Sequence, residues 1–200
     1  MTKTSRVRAG RMAPELRKSQ LLKSAICQFA NLGIGRAVHA DVAEHAQVAV
    51  PTVFSYFPTG DVLKLAVIEE VADKLFQMIG AASTTEISSE LRLKNVLRAF
   101  ARMVDEQPDV IKIWMDWSTI ISPPTWSAYE SFQDGVLSTF ESFIEDGIAD
   151  GTLRPDLNAI IGAHTVMGAG HMIAQMKFRH RDDQLIDEFI ENIVHNALFV

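Results

Sequence analysis

Apolar positions recur at helical spacing along almost the whole chain. Leu22, Ala25, Ile26, Phe29 and Ala30 share one side of a helix, Lys18, Lys23 and Gln28 take other faces, and Gly33 follows as a stop. The spacing predicts a first helix from about Pro14 to Leu32. After a short interval, Gly35 to Val38, the run HADVAEHA at 39–46 places Val42, Ala43 and Ala46 where they can face that helix. Pro51 then opens a second short segment, PTVFSYF, because proline is tolerated in a helix's first turn. Two short helices joined by a tight turn form a helix-turn-helix. Thr59 can cap the next helix and Asp61 suits its positive start, and the apolar series Leu63, Val67, Val71, Leu75 and Ile79 carries it forward. ASTTEISSE at 82–90 reads as a loop before a helix from Leu91 to about Glu106. Pro108 begins a segment with Ile111, Trp114, Met115 and Trp117 on its apolar side, and Ser122, Pro123 and Pro124 interrupt it. A long helix from Trp126 to Asp150 ends at Gly151. Two more fit 156–179 and 182–199, divided by the polar run RHRDD. No segment shows the strict alternation of a strand. The pattern is all-α with about nine helices: a three-helix helix-turn-helix domain over 1–64 and a larger helical bundle over 65–200.

Composition fits a globular chain, with 48% hydrophobic residues. No apolar run approaches the roughly 18 residues needed to span a bilayer, and the basic N-terminus has no signal-peptide core, so no membrane is expected and a cytoplasmic location is. A single cysteine, Cys27, excludes a disulfide scaffold and fits a reducing compartment. The net charge of -6 argues against a nucleic-acid partner until it is divided by segment. Residues 1–64 hold nine basic against four acidic side chains, a net +5; the remainder holds ten against twenty-one, a net -11. A basic head on an acidic body suits one part to phosphates and the other to different work.

The second helix of a helix-turn-helix lies in the major groove while neighbouring helix ends hold phosphates. Val53, Phe54 and Phe57 are the better core candidates in PTVFSYF, which leaves Pro51, Thr52, Ser55 and Tyr56 to face the groove. Thr52 and Ser55 can meet base edges, and the Tyr56 hydroxyl can reach a phosphate. Arg6, Arg8 and Arg11 form a basic arm of the kind that enters a minor groove or follows the backbone. The plainer alternative is a helical hairpin whose polar residues are only solvated.

In the body, Trp114, Trp117 and Trp126 with Phe100, Met103 and Met115 can line an apolar cavity or simply fill a core. Gln133, if buried, needs a partner. With no cation in this group, a neutral, largely hydrophobic ligand fits better than a phosphate. His164 and His171 are seven apart, a spacing that suits interface or surface histidines better than a metal pair. The small residues of GAHTVMGAGHMIA allow close approach of another helix, which suits a dimer interface. No GxSxG, P-loop, HExxH or GxGxxG pattern is present, and Cys27 sits beside an apolar stripe. Neither an enzyme nor a cofactor or metal is expected.

The stretch FANLGIGRAVHADVAEHAQVAVPTVFSYFPT, from Phe29 to Thr59, resembles the DNA-binding domain of the TetR family of bacterial transcriptional regulators. GIGR, HADVAEHAQV, TVFSYFPT and, in the body, KIWMDWS at 112–118 are similar to the LuxR/HapR/SmcR group, the quorum-sensing master regulators of vibrios. The resemblance implies a homodimer on a pseudo-palindromic double-stranded operator, with the last two helices of each subunit forming a four-helix interface. It also implies a pocket in the body for a small hydrophobic ligand. By position it puts DNA contacts on Arg6 and Arg11, on Gln47, Val50, Pro51 and Thr52, and on Ser55 and Tyr56. It puts the pocket near Leu75, Met78, Ile79, Val96, Phe100, Trp114, Gln133, Met167 and Gly170. The group usually has Asn at Ser55 and at Gln133, Ser at Ala13 and Ala49, a basic residue at Gly60 and a larger one at Gly170. Three readings follow: a dimeric quorum-sensing regulator, a helical ligand-binding or catalytic protein without DNA function, and an accessory subunit that pairs with a related regulator.

Overall fold

The computed structural model describes residues 12–83 and 88–198. Its helices are α1 (Pro14–Leu32), α2 (His39–His45), α3 (Val50–Tyr56), α4 (Gly60–Ala82), α5 (Ser89–Glu106), α6 (Pro108–Trp117), α7 (Thr125–Ala149), α8 (Ala159–Phe178) and α9 (Asp183–Leu198). Among the described residues there is no strand. The all-α expectation holds, with most helix ends within two or three residues of where pattern and punctuation put them.

Local chemistry explains the ends. Gly33, at φ +91°, donates its N–H to Phe29 and stops α1, a backbone shape that costs glycine little. The Thr59 hydroxyl accepts from Val62 N–H at 3.2 Å and starts α4. Ser88 does the same for Leu91 N–H at 3.3 Å, so α5 begins two residues before Leu91. Asn158 caps α8 through Ile161 N–H at 3.1 Å, which leaves residues 156–158 outside the helix. At Ala13 and Ala49 no side chain caps the helix that follows.

α1, α2 and α3 pack around Leu21, Phe29, Val42, Val53 and Phe57, none more than 1% exposed. α4 runs unbroken through the expected boundary at 64/65. Leu63 and Val67 on it are buried in one core that continues into the body, so the head joins the body through a helix and not a linker. In the body α8 lies against α5 and α7, and α9 closes on α5 and α8. Carboxylates of α9 hold the basic face of α5: Arg98 meets Asp187 at 2.6 Å, and Lys94 meets Glu191 at 2.6 Å. Partial exposure limits such pairs to about 1 kcal/mol or less each.

The small residues of α8 do different work from that expected. Gly162, Ala163, Ala169 and Gly170 are buried against the chain's own α5 and α7 side, because those helices press close along this face. Gly168 alone of this group stands open, with nothing within 4 Å of where a Cβ would be.

The turn between α2 and α3 is a Schellman motif. Val48 N–H bonds Ala43 O at 3.0 Å and Gln47 N–H bonds Glu44 O at 3.1 Å, which forces Gln47 to φ +55°. A side chain in this left-handed region carries strain that glycine would not. Gln47→Gly is expected to raise the free energy of unfolding by about 0.5–1 kcal/mol, read by urea titration. A lower unfolding midpoint would mean that the side chain contributes more than its backbone conformation costs.

Candidate nucleic-acid interface and body cavity

α3 is seven residues long, and its two faces are sharply divided. Val53 is buried, as is Phe57 just past the helix end, while Val50, Pro51, Phe54 and Ser55 are exposed and Thr52 and Tyr56 are half-buried. Gln47 is exposed at the turn before it. The structure thus brings Gln47, Val50, Pro51, Thr52, Ser55 and Tyr56 onto one short stretch of surface. Arg6, Arg8 and Arg11 lie outside the described residues.

Phe54 corrects the sequence reading. It is not a core residue: 46% of it is exposed, and its ring lies flat on His39 at 4.0 Å with 4° between planes. Val53 and Phe57, four apart, take the inward stripe, and Phe54 falls on another face. His39, 6% exposed at the first turn of α2, also holds its Nε2 2.7 Å from Phe57 O. One imidazole therefore ties α2 to the end of α3 and supports the outward aromatic ring.

The Ser55 hydroxyl donates to Thr52 O at 2.7 Å. Its proton is used within the helix, and its oxygen faces outward as an acceptor. Arg17 Nη1 donates to Gln20 Oε1 at 2.7 Å, and Gln20 Nε2 donates to Ala46 O at 3.3 Å, which fixes the start of α1 against the turn that carries Gln47.

In the body, α4 to α8 line an apolar cavity of about 40 Å³, counted as space for the centre of a water-sized sphere. Leu75, Met78, Ile79, Val96, Phe100, Trp114, Met167 and Gly170 all line it, joined by Leu97, Phe132, Val136, Phe140 and Val166. Gln133 does not. It is half-buried on α7 with Nε2 3.9 Å from Met167 Sδ, a contact behind the wall. Trp117, Trp126, Met103 and Met115 do not line it either: Trp117 is buried against Tyr129 and Phe132, and its indole N–H donates to Thr125 O at 2.8 Å. Trp114 differs. Its indole nitrogen is buried and has no acceptor, an arrangement that costs about 1–3 kcal/mol. The ring meets the edge of Phe100 at 5.3 Å and the His171 imidazole at 4.1 Å.

His171 is half-buried against Trp114, whereas His164, two turns earlier on the same face of α8, is exposed with its Nδ1 2.8 Å from Ile160 O. Burial holds the His171 pKa below its ordinary value. A second hollow, about 610 Å³ and open to solvent, lies between head and body. It brings Lys23 and half-buried Cys27 of α1 opposite Glu70 and Lys74 of α4 and Asp109 of α6. Residues more than eighty positions apart meet there, so no local pattern announced it. Among the described residues no group of three or more His, Cys, Asp or Glu is placed to hold a metal, and no helix is long and apolar enough to cross a membrane.

These features define an all-α protein with a helix-turn-helix head and an apolar cavity in its helical body. No family model matches the chain. It is 34% identical over 119 residues to the HTH-type transcriptional regulator LuxR of Vibrio harveyi, a match over 60% of this chain and 58% of that protein. It is 23% identical over 146 residues to the HTH-type transcriptional repressor KstR2 of Mycolicibacterium smegmatis, over 72% and 71% of the two chains. The fold matches a TetR-like transcriptional regulator from Rhodococcus at TM-score 0.77 and 16% identity, over 92% of this chain and 96% of that one. The chain has the fold of TetR-like regulators, and over the matched 119 residues it is similar to LuxR, spanning about three fifths of that regulator's length.

Two measurements check the site. Phe57→Ala is expected to destabilise by about 3–5 kcal/mol and Phe54→Ala by about 1 kcal/mol, the loss of an exposed stack. Equal losses would put Phe54 back in the core. For His171, the unfolded chain binds the extra proton more readily, so its contribution is full above the ordinary pKa of 6.5 and is lost as pH falls below it. His171→Gln should flatten the decline of Tm between pH 7.5 and 5.5; an unchanged decline would assign the acid sensitivity elsewhere.

Proposed function

We propose that the chain is a sequence-specific DNA-binding transcriptional regulator that acts as a homodimer on a pseudo-palindromic operator, in a quorum-sensing role. The observation that carries this is the division of α3, whose Val53 side is locked into the head while Thr52, Phe54, Ser55 and Tyr56 project from it. Ser55, with its proton committed to Thr52 O, offers an acceptor, and the partners this suits are the amino groups of adenine or cytosine. Phe54 offers an apolar edge to a thymine methyl. Arg6, Arg8 and Arg11 supply phosphate or minor-groove contacts. The likeness to LuxR supports the same reading.

The outward stripe of α8, Ile161, His164, Gly168 and Met172, with exposed Leu185 on α9, is the surface on which a second copy would pack. Gly168 lets the backbones approach there. The cavity would take a neutral apolar molecule carrying a hydrogen-bond acceptor for Trp114, since no charged side chain lines it. At about 40 Å³ it is far below the roughly 300–1,000 Å³ of sites that enclose drug-sized ligands, so entry requires its walls to move.

Selection of bound fragments from genomic DNA tests the proposal. Expected are an enriched palindromic site and an affinity that falls steeply with salt as phosphate contacts release counterions. Ser55→Ala should relax preference at one position in each half-site. Arg11→Ala should weaken all sequences alike and reduce the salt slope by about one. No salt-sensitive binding to any fragment would overturn the regulator reading and favour a ligand-binding or catalytic protein. Sedimentation of the pure chain as a monomer would favour an accessory subunit.

A further inference from the structure

We infer that His39 is a positioning residue for base recognition: its imidazole holds the Phe54 ring in one outward setting and, with it, the preference of α3 for thymine at one position of each half-site. The inference rests on the regulator reading above. His39 opens α2, and the Val38 N–H before it donates to Asp41 Oδ2 at 2.8 Å, so the residue enters the head on a fixed backbone. Its side chain is 6% exposed, with Nε2 2.7 Å from Phe57 O. A carbonyl oxygen only accepts, so Nε2 carries the proton of that bond. Phe57 is the residue after α3 and Pro58 follows it, so no further turn of helix supplies the donor instead.

A ring N–H lies in the plane of its ring, while a stack uses the face. The bond to Phe57 O therefore fixes the imidazole in its plane and leaves the face for Phe54, whose ring lies parallel to it at 4.0 Å. Phenylalanine at this position would supply the face without the donor, and glutamine the donor without the face. Phe54 has little else to hold it: it is exposed, on a seven-residue helix whose buried side is taken by Val53. An exposed side chain exchanges between rotamers, and ordering it on binding costs free energy. The stack meets that cost before DNA arrives, covering one face of the ring and presenting the rest. A thymine methyl is read by close apolar contact, and a gap of about 0.5–1 Å forfeits a quarter to a half of such a contact. The setting of the ring thus decides whether the methyl is met, and a buried histidine governs a choice made at the surface.

Selection of bound fragments with the full chain tests this. His39→Gln keeps a donor for Phe57 O and removes the face; it is expected to relax the thymine preference at one position of each half-site by about fivefold or more. Phe54→Ala should relax the same position, and adding His39→Gln to it should change that position little further, the signature of two residues acting as one. His39→Phe restores the face and should recover the preference even where it binds more weakly. Weakening of all sequences alike in His39→Gln, with every base preference intact, would mark a merely structural role and overturn the inference, as would relaxation at a position that Phe54→Ala leaves alone. Phe54→Leu carries the comparison if His39→Gln does not fold: an apolar side chain that cannot stack should relax the position by a similar factor, and full retention would overturn the inference. If the native chain binds no fragment, the regulator reading fails instead, and NMR of the Phe54 ring tests the positioning without DNA. A ring signal shifted upfield in the native chain, and returned to the free-phenylalanine position in His39→Gln, is then the expected result; an unshifted native signal would overturn the positioning.

Discussion

The placement of α6 is the constraint on which the rest of the arrangement depends. In five consecutive residues it sends Ile113 into the body core, Trp114 to the cavity wall, Asp116 to the helix-turn-helix head and Trp117 against α7. A helix turns by 100° per residue, so five residues cover every direction, and a helix that uses all of them must be surrounded. α6 packs on α1, α4, α5 and α7. The head is thus fixed at two places, by the continuous α4 and by the α1–α6 contact.

That fixation gives the charge distribution its meaning. The residues of 1–64 carry +5 and the remainder -11, and a rigid attachment keeps these fields apart where a flexible linker would let them mix. Some of the body's carboxylates tie helices together, and those of α9 hold Lys94 and Arg98 of α5. Lys177 of α8 likewise lies between Asp105 and Asp183. These carboxylates are largely matched by the cations they hold, so most of the body's net -11 lies outside such ties.

Helix ends were legible in the chain because their signals act within a turn: Gly33, Thr59, Pro108 and Gly151 each sit where a helix begins or ends. The inward stripes of the longer helices were legible for the same reason. Errors fell where two apolar residues competed for one face. Phe54 and Phe57 look alike in sequence, but a seven-residue helix buries one stripe only, and the neighbours Val42 and Leu21 had already settled which. The small residues of α8 likewise signal close packing without naming the partner, and most of them meet this chain's own helices. Gln133 shares a helix with Phe132, Val136 and Phe140, and one residue of rotation puts it behind the cavity wall.

By itself the sequence determined the helices, their order and the division of charge, since periodicity, capping and ionisation depend on neighbours a few positions away. The tertiary structure alone decided that His39 would support Phe54, that Trp114 would keep a buried N–H without an acceptor, and that Asp116 would reach Ile34. Each depends on groups brought together from distant parts of the chain. Such pairings are selected by how helices of given length and bulk fill a common core, and no local pattern encodes that choice.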